Sequence, residues 1–138
     1  MSRVALVTGG TRGIGAAISI AMKTAGYQVA ATYAGNDAAA AAFTAEHGIK
    51  TFKWSVADYD ACVAGIAEVE AALGPVDVLV NNAGITRDAP FHRMTRAQWS
   101  EVAEVSRGNC VKLEACGRGA SGASGHESRR KPDCVQRT

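Results

Sequence analysis

The feature that most constrains the fold is a glycine-rich turn placed directly after an apolar run near the N-terminus. The run is Val4-Ala5-Leu6-Val7, and the turn that follows has glycines at positions 9, 13 and 15. A helical pattern begins inside this turn, so the N–H groups of a helix N-terminus would face it. A side chain at those glycines would block a pyrophosphate from reaching such N–H groups. The context of strand, turn and helix therefore predicts a phosphate-binding turn, with a purely conformational glycine turn as the alternative.

Apolar runs and helical patterns alternate up to residue 80, which is typical of an α/β fold. The predicted strands are Arg3–Val7, Gln28–Tyr33, a run in which Phe52, Trp54 and Val56 alternate, and Val76–Val80. The predicted helices run from the glycine turn to Ala25, from Asp37 to His47, and from a cap at Asp58 or Asp60 to Leu73. These elements predict the N-terminal half of a Rossmann-type, doubly wound parallel sheet with strand order 3-2-1-4.

The spacing of apolar residues also predicts which helix faces are buried. On the first helix this face consists of Ile14, Ile18, Ala21, Met22 and Ala25, and on the third helix of Val63, Ile66, Ala67, Glu70 and Leu73. A further helix is predicted to open with the capping box Thr95-Arg96-Ala97-Gln98 and to place Trp99 and Val102 on its apolar side. We expect this helical pattern to end after Val102.

The composition changes near residue 102. Residues 1–102 carry 8 Lys/Arg and 9 Asp/Glu, a net charge of −1, and contain every aromatic residue of the chain. Residues 103–138 carry 7 Lys/Arg and 4 Asp/Glu, a net charge of +3, and few large apolar side chains. We therefore divide the chain into a truncated dinucleotide-binding Rossmann domain, 1–102, and an irregular, largely disordered basic tail, 103–138. Because no strand-forming run follows Val102, the strand Val76–Val80 is expected to be an exposed edge of the sheet.

The sequence does not favour nucleic-acid, metal or membrane binding. The basic cluster Arg129-Arg130-Lys131 lacks aromatic residues on which bases could stack. Cys110, Cys116 and His126 have a poor spacing for a zinc site. There is no apolar run of about 18 residues, which a membrane-spanning helix needs. The N-terminus lacks the apolar segment of a signal peptide, so we expect a cytoplasmic protein whose cysteines form no disulfides.

A second motif follows the fourth predicted strand. Asn81-Asn82-Ala83-Gly84 stands at the carboxyl end of that strand, where ligands bind in open parallel sheets. Together, the glycine turn and this motif resemble the short-chain dehydrogenase/reductase family over residues 1–102. The stretch ITRDAPFHRMTRAQW is most similar to the acetoacetyl-CoA reductases within that family. The 3-oxoacyl-acyl-carrier-protein reductases are the alternative branch.

The resemblance implies a nicotinamide cofactor, held by three segments that surround its pyrophosphate, its adenine side and its adenosine ribose. The matching residues are Gly9, Thr11, Arg12, Gly13, Ile14 and Gly15 in the turn, Ser55, Val56 and Asp58 after the third strand, and Asn81, Ala83 and Gly84 after the fourth. The second strand ends in Tyr33-Ala34-Gly35-Asn36, without a carboxylate that would hold a ribose 2′-hydroxyl. Since the cationic Arg12 is nearby in the turn, NADPH is the expected cofactor rather than NADH.

The resemblance further implies reduction of a 3-oxoacyl-CoA to a 3-hydroxyacyl-CoA, as in polyhydroxybutyrate-type metabolism, by a homotetramer. In the family a Tyr-x-x-x-Lys pair, an upstream serine and a helix asparagine carry this reaction. No tyrosine of this chain has a lysine four residues on, and Ser106 stands where the helix asparagine would fall. We therefore assign no catalytic residue, expect little or no activity and no tetramer, and keep a non-catalytic dinucleotide-binding remnant as a further alternative.

The tail has two interpretations. It is rich in arginine, glycine, serine, alanine and cysteine, as is a GC-rich gene read out of frame. Codons permitted for Glu127–Asp133 also spell Ile-Ser-Ser-Lys-Thr-Gly when read two bases later, and an Ile-Ser-Ser segment contains the catalytic serine of the family. A naturally divergent tail is the alternative.

Overall fold

The structure is a computed structural model that describes residues 2–85 and 89–106, and residues 133–136 as backbone. Several residues singled out above lie outside the described part of the chain, namely residues 86–88 of the family-like stretch, Cys110, Cys116, His126 and the cluster 129–131. The predicted disorder of the tail concerns mainly residues that are likewise outside it.

Five parallel strands form one sheet in the order β3-β2-β1-β4-β5. They are β1 (Val4–Val7), β2 (Gln28–Tyr33), β3 (Lys50–Lys53), β4 (Val76–Asn81) and β5 (Asp133–Gln136). The first four are connected by α1 (Gly13–Thr24), α2 (Asp37–His47) and α3 (Tyr59–Leu73). A short 3-10 turn, Phe91–Arg93, precedes α4, which is helical over residues 96–106. The predicted order 3-2-1-4 and the Rossmann-type fold are confirmed.

Helices cover both faces of the sheet. On one face, Leu6 and Leu79 pack with Ile66 and Val69 of α3. On the other face, Val7 and its neighbours on β2 and β4 pack with α1 and α2. Successive side chains of a strand point to opposite faces, so a strand covered on both sides has to be apolar throughout. This explains the continuous apolar run of β1.

The buried face of α1 differs from the prediction. Gly15 and Ser19 are its buried residues, whereas Ile14 is 55% exposed and Ala21 and Ala25 are also exposed. Ser19 can be buried because its hydroxyl donates to the carbonyl of Gly10 at 3.0 Å. Ile18 and Met22 of the predicted face do pack against the core as half-buried residues. The prediction was wrong for Ile14, Ala21 and Ala25, because it counted apolar side chains and missed the small residues at which α1 comes closest to the sheet.

The predicted face of α3 is confirmed for Ile66, which is buried, and for Leu73, which packs against the core, but the other buried positions are shifted by one residue. Its buried residues are Cys62, Gly65, Ile66 and Val69. Val63, which was predicted to be buried, is 44% exposed. A Cβ at Gly65 would overlap the indole of Trp54, so the absence of a side chain lets α3 pack directly against this ring.

After β4, the structure confirms one prediction and differs from three others. The capping box is confirmed, since the Thr95 N–H donates to Gln98 Oε1 at 2.9 Å and the Gln98 N–H donates to Thr95 Oγ1 at 3.2 Å. However, Trp99 is 63% exposed, and the helix continues past Val102 to residue 106. The strand β5 pairs with β4 from Val78 onward, so the predicted exposed edge is wrong. The sequence of β5, Asp133-Cys134-Val135-Gln136, lacks the continuous apolar run by which β1 was predicted.

None of the helices within the described residues is both long and apolar enough to cross a membrane. The division of the chain at residue 102 stays a prediction, although α4 extends beyond it.

Candidate functional site

An open cleft of about 990 Å³ lies at the carboxyl ends of β1, β2 and β4. The strand order reverses at β1, which pairs with β2 on one side and with β4 on the other. Ligands of open parallel sheets bind at such a reversal. The walls of the cleft are the glycine turn, the end of β2, the segments after β3 and β4, and the end of α4.

Eleven of the twelve residues proposed from the sequence line this cleft. They are Gly9, Thr11, Arg12, Gly13, Ile14, Gly15, Ser55, Val56, Asn81, Ala83 and Gly84. The twelfth, Asp58, is not part of the described lining; its carboxylate accepts the N–H of Ala61 at 3.0 Å and caps α3. Sequence reasoning did not assign other lining residues to the cofactor, among them Thr32, Ala39, Trp54, Asn82, Ile85 and Val105. Ser106, noted only as the replacement of a helix asparagine, also lines the cleft.

Two glycines of the turn have different roles. A Cβ at Gly15 would overlap the carbonyl oxygen of Gly9, so this position has to be a glycine for α1 to pack under the turn. A Cβ at Gly13 would meet no atom within 4 Å, but this residue has a φ of 55°, which side-chain-bearing residues rarely adopt. Gly15 therefore serves the packing of the turn, while Gly13 shapes the wall of the cleft.

The N-terminus of α1 is open toward the cleft. Arg12 is the N-cap residue and makes no side-chain hydrogen bond to the helix, and the first turn contains no acidic residue. By contrast, the side chains of Asn36 and Asp58 cap α2 and α3. The first N–H groups of a helix have no partner within the helix and form the positive end of its dipole. This arrangement is suited to an anion, and the Arg12 guanidinium adds a full positive charge beside it.

The buried hydroxyl of Thr8 fixes the glycine turn to the segment after β4. It accepts the N–H groups of Asn82 and Ala83, both at 3.0 Å. The side-chain amide of Asn82 donates in return to the carbonyls of Thr8, at 3.1 Å, and Gly9, at 3.2 Å. Thr8 is fully buried, so these bonds are shielded from competing water. The two sequence motifs therefore form one connected wall of the cleft.

A similar set of contacts ties the turn to β2. The N–H of Gly9 donates to Thr32 Oγ1 at 3.3 Å, and the N–H of Gly10 donates to the Thr32 carbonyl at 3.0 Å. Thr32 is buried. Its side-chain oxygen accepts the N–H of Gly9, which lies beyond the end of β1 and has no strand carbonyl as its partner there. The turn is thus held from both neighbouring strands.

A polar cluster that the sequence did not reveal stands at the rim of the cleft beside β2. The hydroxyl of Tyr33 donates to Asp37 Oδ1 at 3.0 Å, and Lys53 Nζ donates to Asp37 Oδ2 at 3.0 Å. The hydrogen bond from Lys53 is the main cause that lowers the pKa of Asp37, and the same bond raises the pKa of Lys53. Desolvation, followed by the hydrogen bond to Asp37, raises the pKa of Tyr33.

No three His, Cys, Asp or Glu side chains gather into a possible metal site within the part of the chain that the structure describes. The lining of the cleft offers N–H groups, hydroxyls, amides and the Arg12 cation.

Comparison with known proteins identifies the family. A profile of the family described as short chain dehydrogenase matches residues 3–113. The chain belongs to the short-chain dehydrogenase family. It is 73% identical over 106 residues to the acetoacetyl-CoA reductase of Paracoccus denitrificans, a match that covers 77% of this chain and 44% of that protein. The resemblance to this branch of the family, stated from the sequence, is confirmed.

Two further relatives are more distant. A 3-oxoacyl-acyl-carrier-protein reductase of Staphylococcus aureus is 42% identical over 120 residues, covering 81% of this chain and 49% of the relative. A crystal structure of a blue fluorescent protein from a metagenomic library, in complex with NADPH, superimposes with a TM-score of 0.76 at 33% identity, covering 83% of this chain and 50% of that one. The short-chain dehydrogenase described here thus spans no more than about half the length of these relatives.

Proposed function

We propose that the cleft binds NADPH and that this chain is the cofactor-binding part of an acetoacetyl-CoA reductase. The observation that carries this proposal is the uncapped N-terminus of α1, which opens into the cleft with Arg12 as its N-cap residue. The match at 73% identity to a protein named acetoacetyl-CoA reductase supports the activity, and the similarity to a structure crystallised with NADPH supports the cofactor.

The residues of the cleft fit such a cofactor segment by segment. The N–H groups at the start of α1, Gly13 to Gly15, would hold the pyrophosphate. Ser55 and Val56 would flank the adenine, while Asn81, Ala83 and Gly84 would flank the adenosine ribose and the path toward the nicotinamide. NADPH supplies the hydride of the reaction, so the contribution of this chain is binding and orientation.

The preference for NADPH rests on charge. Arg12 is exposed and carries a cation to which a 2′-phosphate can pair, whereas NADH offers only a hydroxyl there. Residues 33–36 at the end of β2 include no carboxylate, although Asp37 follows them immediately. The carboxylate of Asp37 is engaged by Tyr33 and Lys53.

The test of cofactor binding is a fluorescence titration of the chain with NADPH and with NADH. We expect tighter binding of NADPH, and we expect Arg12→Ala to bring the two affinities together. Arg96→Ala is the matched control, since it removes an exposed arginine that does not line the cleft. Equal affinities for both cofactors in the unmodified chain would contradict the proposal.

We further propose that these 138 residues on their own bind the cofactor without reducing a substrate. They contain no Tyr-x-x-x-Lys pair, and Ser106 lines the cleft where the resemblance implies an asparagine. Loss of a positioned general acid alone costs about 10²- to 10⁴-fold in rate. NADPH oxidation with acetoacetyl-CoA should therefore equal the rate without protein. A turnover of about 1 s⁻¹, within the range of ordinary enzymes, would refute this assignment.

Two alternatives share the proposed cofactor site. A 3-oxoacyl-acyl-carrier-protein reductase is less favoured, because the relative of that name shares 42% identity against 73% for the acetoacetyl-CoA reductase. A dinucleotide-binding remnant without a reductase role would bind NADPH equally well. That the chain does not form the tetramer of the family also stays a prediction. Size-exclusion chromatography of the chain tests it.

We also infer that the sequence after residue 102 departs from the family, either because it is read out of frame or because it has diverged. In support, the matches at 72–73% identity extend over only 102 to 106 residues, although the family profile reaches residue 113. Sequencing of the coding DNA distinguishes the two: an alternative frame that spells asparagine, serine and a Tyr-x-x-x-Lys pair after codon 102 would show a frameshift.

A further inference from the structure

Tyr33 lines the cleft at the end of β2, and Asp37 and Lys53 are bonded to it in a cluster beside the cleft, where β2 is followed by α2. Tyr33 and Lys53 are register partners at the ends of the parallel strands β2 and β3. Asp37 is the first residue of α2, and it receives one hydrogen bond on each carboxylate oxygen, both at 3.0 Å. Residues 34–36 form a turn between β2 and α2, and this turn places the Asp37 carboxylate next to Tyr33 at the end of β2.

A carboxylate in this place matters for a dinucleotide. In folds of this topology, an acidic residue near the end of the second strand hydrogen-bonds the ribose 2′-hydroxyl, and a cation is needed to accommodate a 2′-phosphate. The side chain of Asp37 is 65% exposed, so its charge is directed toward solvent at the rim and is not sequestered in the core. A bare carboxylate here would repel a phosphate dianion.

We propose that Lys53, together with Tyr33, neutralises and holds Asp37 so that the rim of the cleft accepts the 2′-phosphate of NADPH. Lys53 is then a specificity-determining residue that acts through Asp37 and does not itself contact the phosphate. This inference rests on the proposed binding of NADPH. The direction of the pKa shifts agrees with it, because the lowered pKa of Asp37 and the raised pKa of Lys53 keep the pair ionised around neutral pH.

The test is a double-mutant cycle with both cofactors. The unmodified chain, Lys53→Met, Asp37→Asn and the double variant are titrated with NADPH and NADH at low ionic strength. We expect Lys53→Met to weaken NADPH binding about 1.5- to fivefold, the range of an exposed charge interaction, and to leave NADH binding unchanged or slightly tighter. In the double variant the repelling carboxylate is gone as well, so NADPH affinity should return to at least that of the unmodified chain.

Lys50→Met is the matched control. It removes the same charge from the opposite end of β3, where the ammonium group of Lys50 lies near the carbonyl of Ala72. It should leave the ratio of the two affinities unchanged. All of these side chains are exposed at the surface, so the variants should fold, which urea unfolding verifies.

The possible results separate the inference from the function on which it rests. If Lys53 contacted the phosphate directly, Lys53→Met would weaken NADPH binding in the Asp37→Asn background as much as in the unmodified chain, and the inference would be overturned. An unchanged ratio in all variants would also overturn it while the proposed function stood. If the unmodified chain bound neither cofactor, both would fail. The effect of Lys53→Met should in addition shrink near 1 M salt, where the Debye length is only about 3 Å.

Discussion

Replacement of Gly15 by alanine tests how closely α1 packs under the glycine turn. The added Cβ would overlap the carbonyl oxygen of Gly9 and lie 2.5 Å from Nδ2 of Asn82. Neither neighbour can move freely, because one is backbone and the other is an amide bonded to the carbonyls of Thr8 and Gly9. Overpacking of a well-packed interior costs about 1–3 kcal/mol. Since the overlap is with backbone, we expect Gly15→Ala to lower the free energy of unfolding by about 3 kcal/mol or more.

Gly13→Ala is the matched variant, because it adds the same methyl group two residues away. At Gly13 a Cβ meets no atom within 4 Å, so no packing penalty arises. The remaining cost comes from the φ of 55°, and a left-handed conformation costs a non-glycine residue about 1–2 kcal/mol. The methyl group would project into open space at the wall of the cleft. We therefore expect a modest loss of stability but a clear loss of NADPH affinity.

The assay is equilibrium urea unfolding followed by tryptophan fluorescence. Trp54 is 7% exposed and Trp99 is 63% exposed, so Trp54 is the tryptophan that reports burial. The chain has two tryptophans, so in a Trp99→Phe background the fluorescence comes from Trp54 alone. We expect the unfolding midpoint to fall slightly for Gly13→Ala and much further for Gly15→Ala. Equal midpoints, or a larger loss for Gly13→Ala, would refute the packing argument.

Three further predictions concern single side chains. Thr8→Val removes the buried acceptor of two N–H groups, which should cost about 1–3 kcal/mol and weaken NADPH binding, whereas Thr8→Ser should keep the affinity in the same titration. Asp58→Ala removes the cap of α3 and should cost about 1 kcal/mol in urea unfolding without changing cofactor affinity, whereas Asp58→Asn should restore most of the loss. In a carbon-13 NMR titration, the carboxyl of Asp37 should titrate at a lower pH than an ordinary aspartate, and Lys53→Met should raise that pH. Because its pKa is lowered in the folded chain, the stabilising contribution of Asp37 is present at neutral pH and is lost as the pH falls through this pKa.

Much of the fold could be predicted from local patterns. The strand Gln28–Tyr33 and the helix Asp37–His47 have the predicted bounds, because turn residues separate them and Gly48 ends the helix in a left-handed conformation. The helix faces could not be predicted as well. Contact between a helix and the sheet depends on where small residues permit close approach, and Gly15, Ser19 and Gly65 carry no apolar signal in a periodicity count.

The candidate site could be predicted to the same extent. Motifs with a defined place in the topology led to eleven residues of the cleft, because parallel strands bring their carboxyl ends to one edge. Asp58 is not among the described lining residues, and a position in a motif does not show whether a carboxylate faces a ligand or caps its own helix. The bonds that Thr8 and Thr32 make across the turn could not be predicted either, since they join residues 23 to 75 positions apart.

Asp37 shows why cofactor preference cannot be assigned from one residue at a time. In the sequence it is an acidic residue in the first turn of a helix, where the helix dipole alone accounts for it. Its partner Lys53 is 16 residues away and reaches it only because β2 and β3 pair in parallel with Tyr33 opposite Lys53. The charge at the rim of the cleft is therefore a property of the pair. Asp37 would favour NADH if it stood alone, and it becomes compatible with NADPH through a lysine on the neighbouring strand.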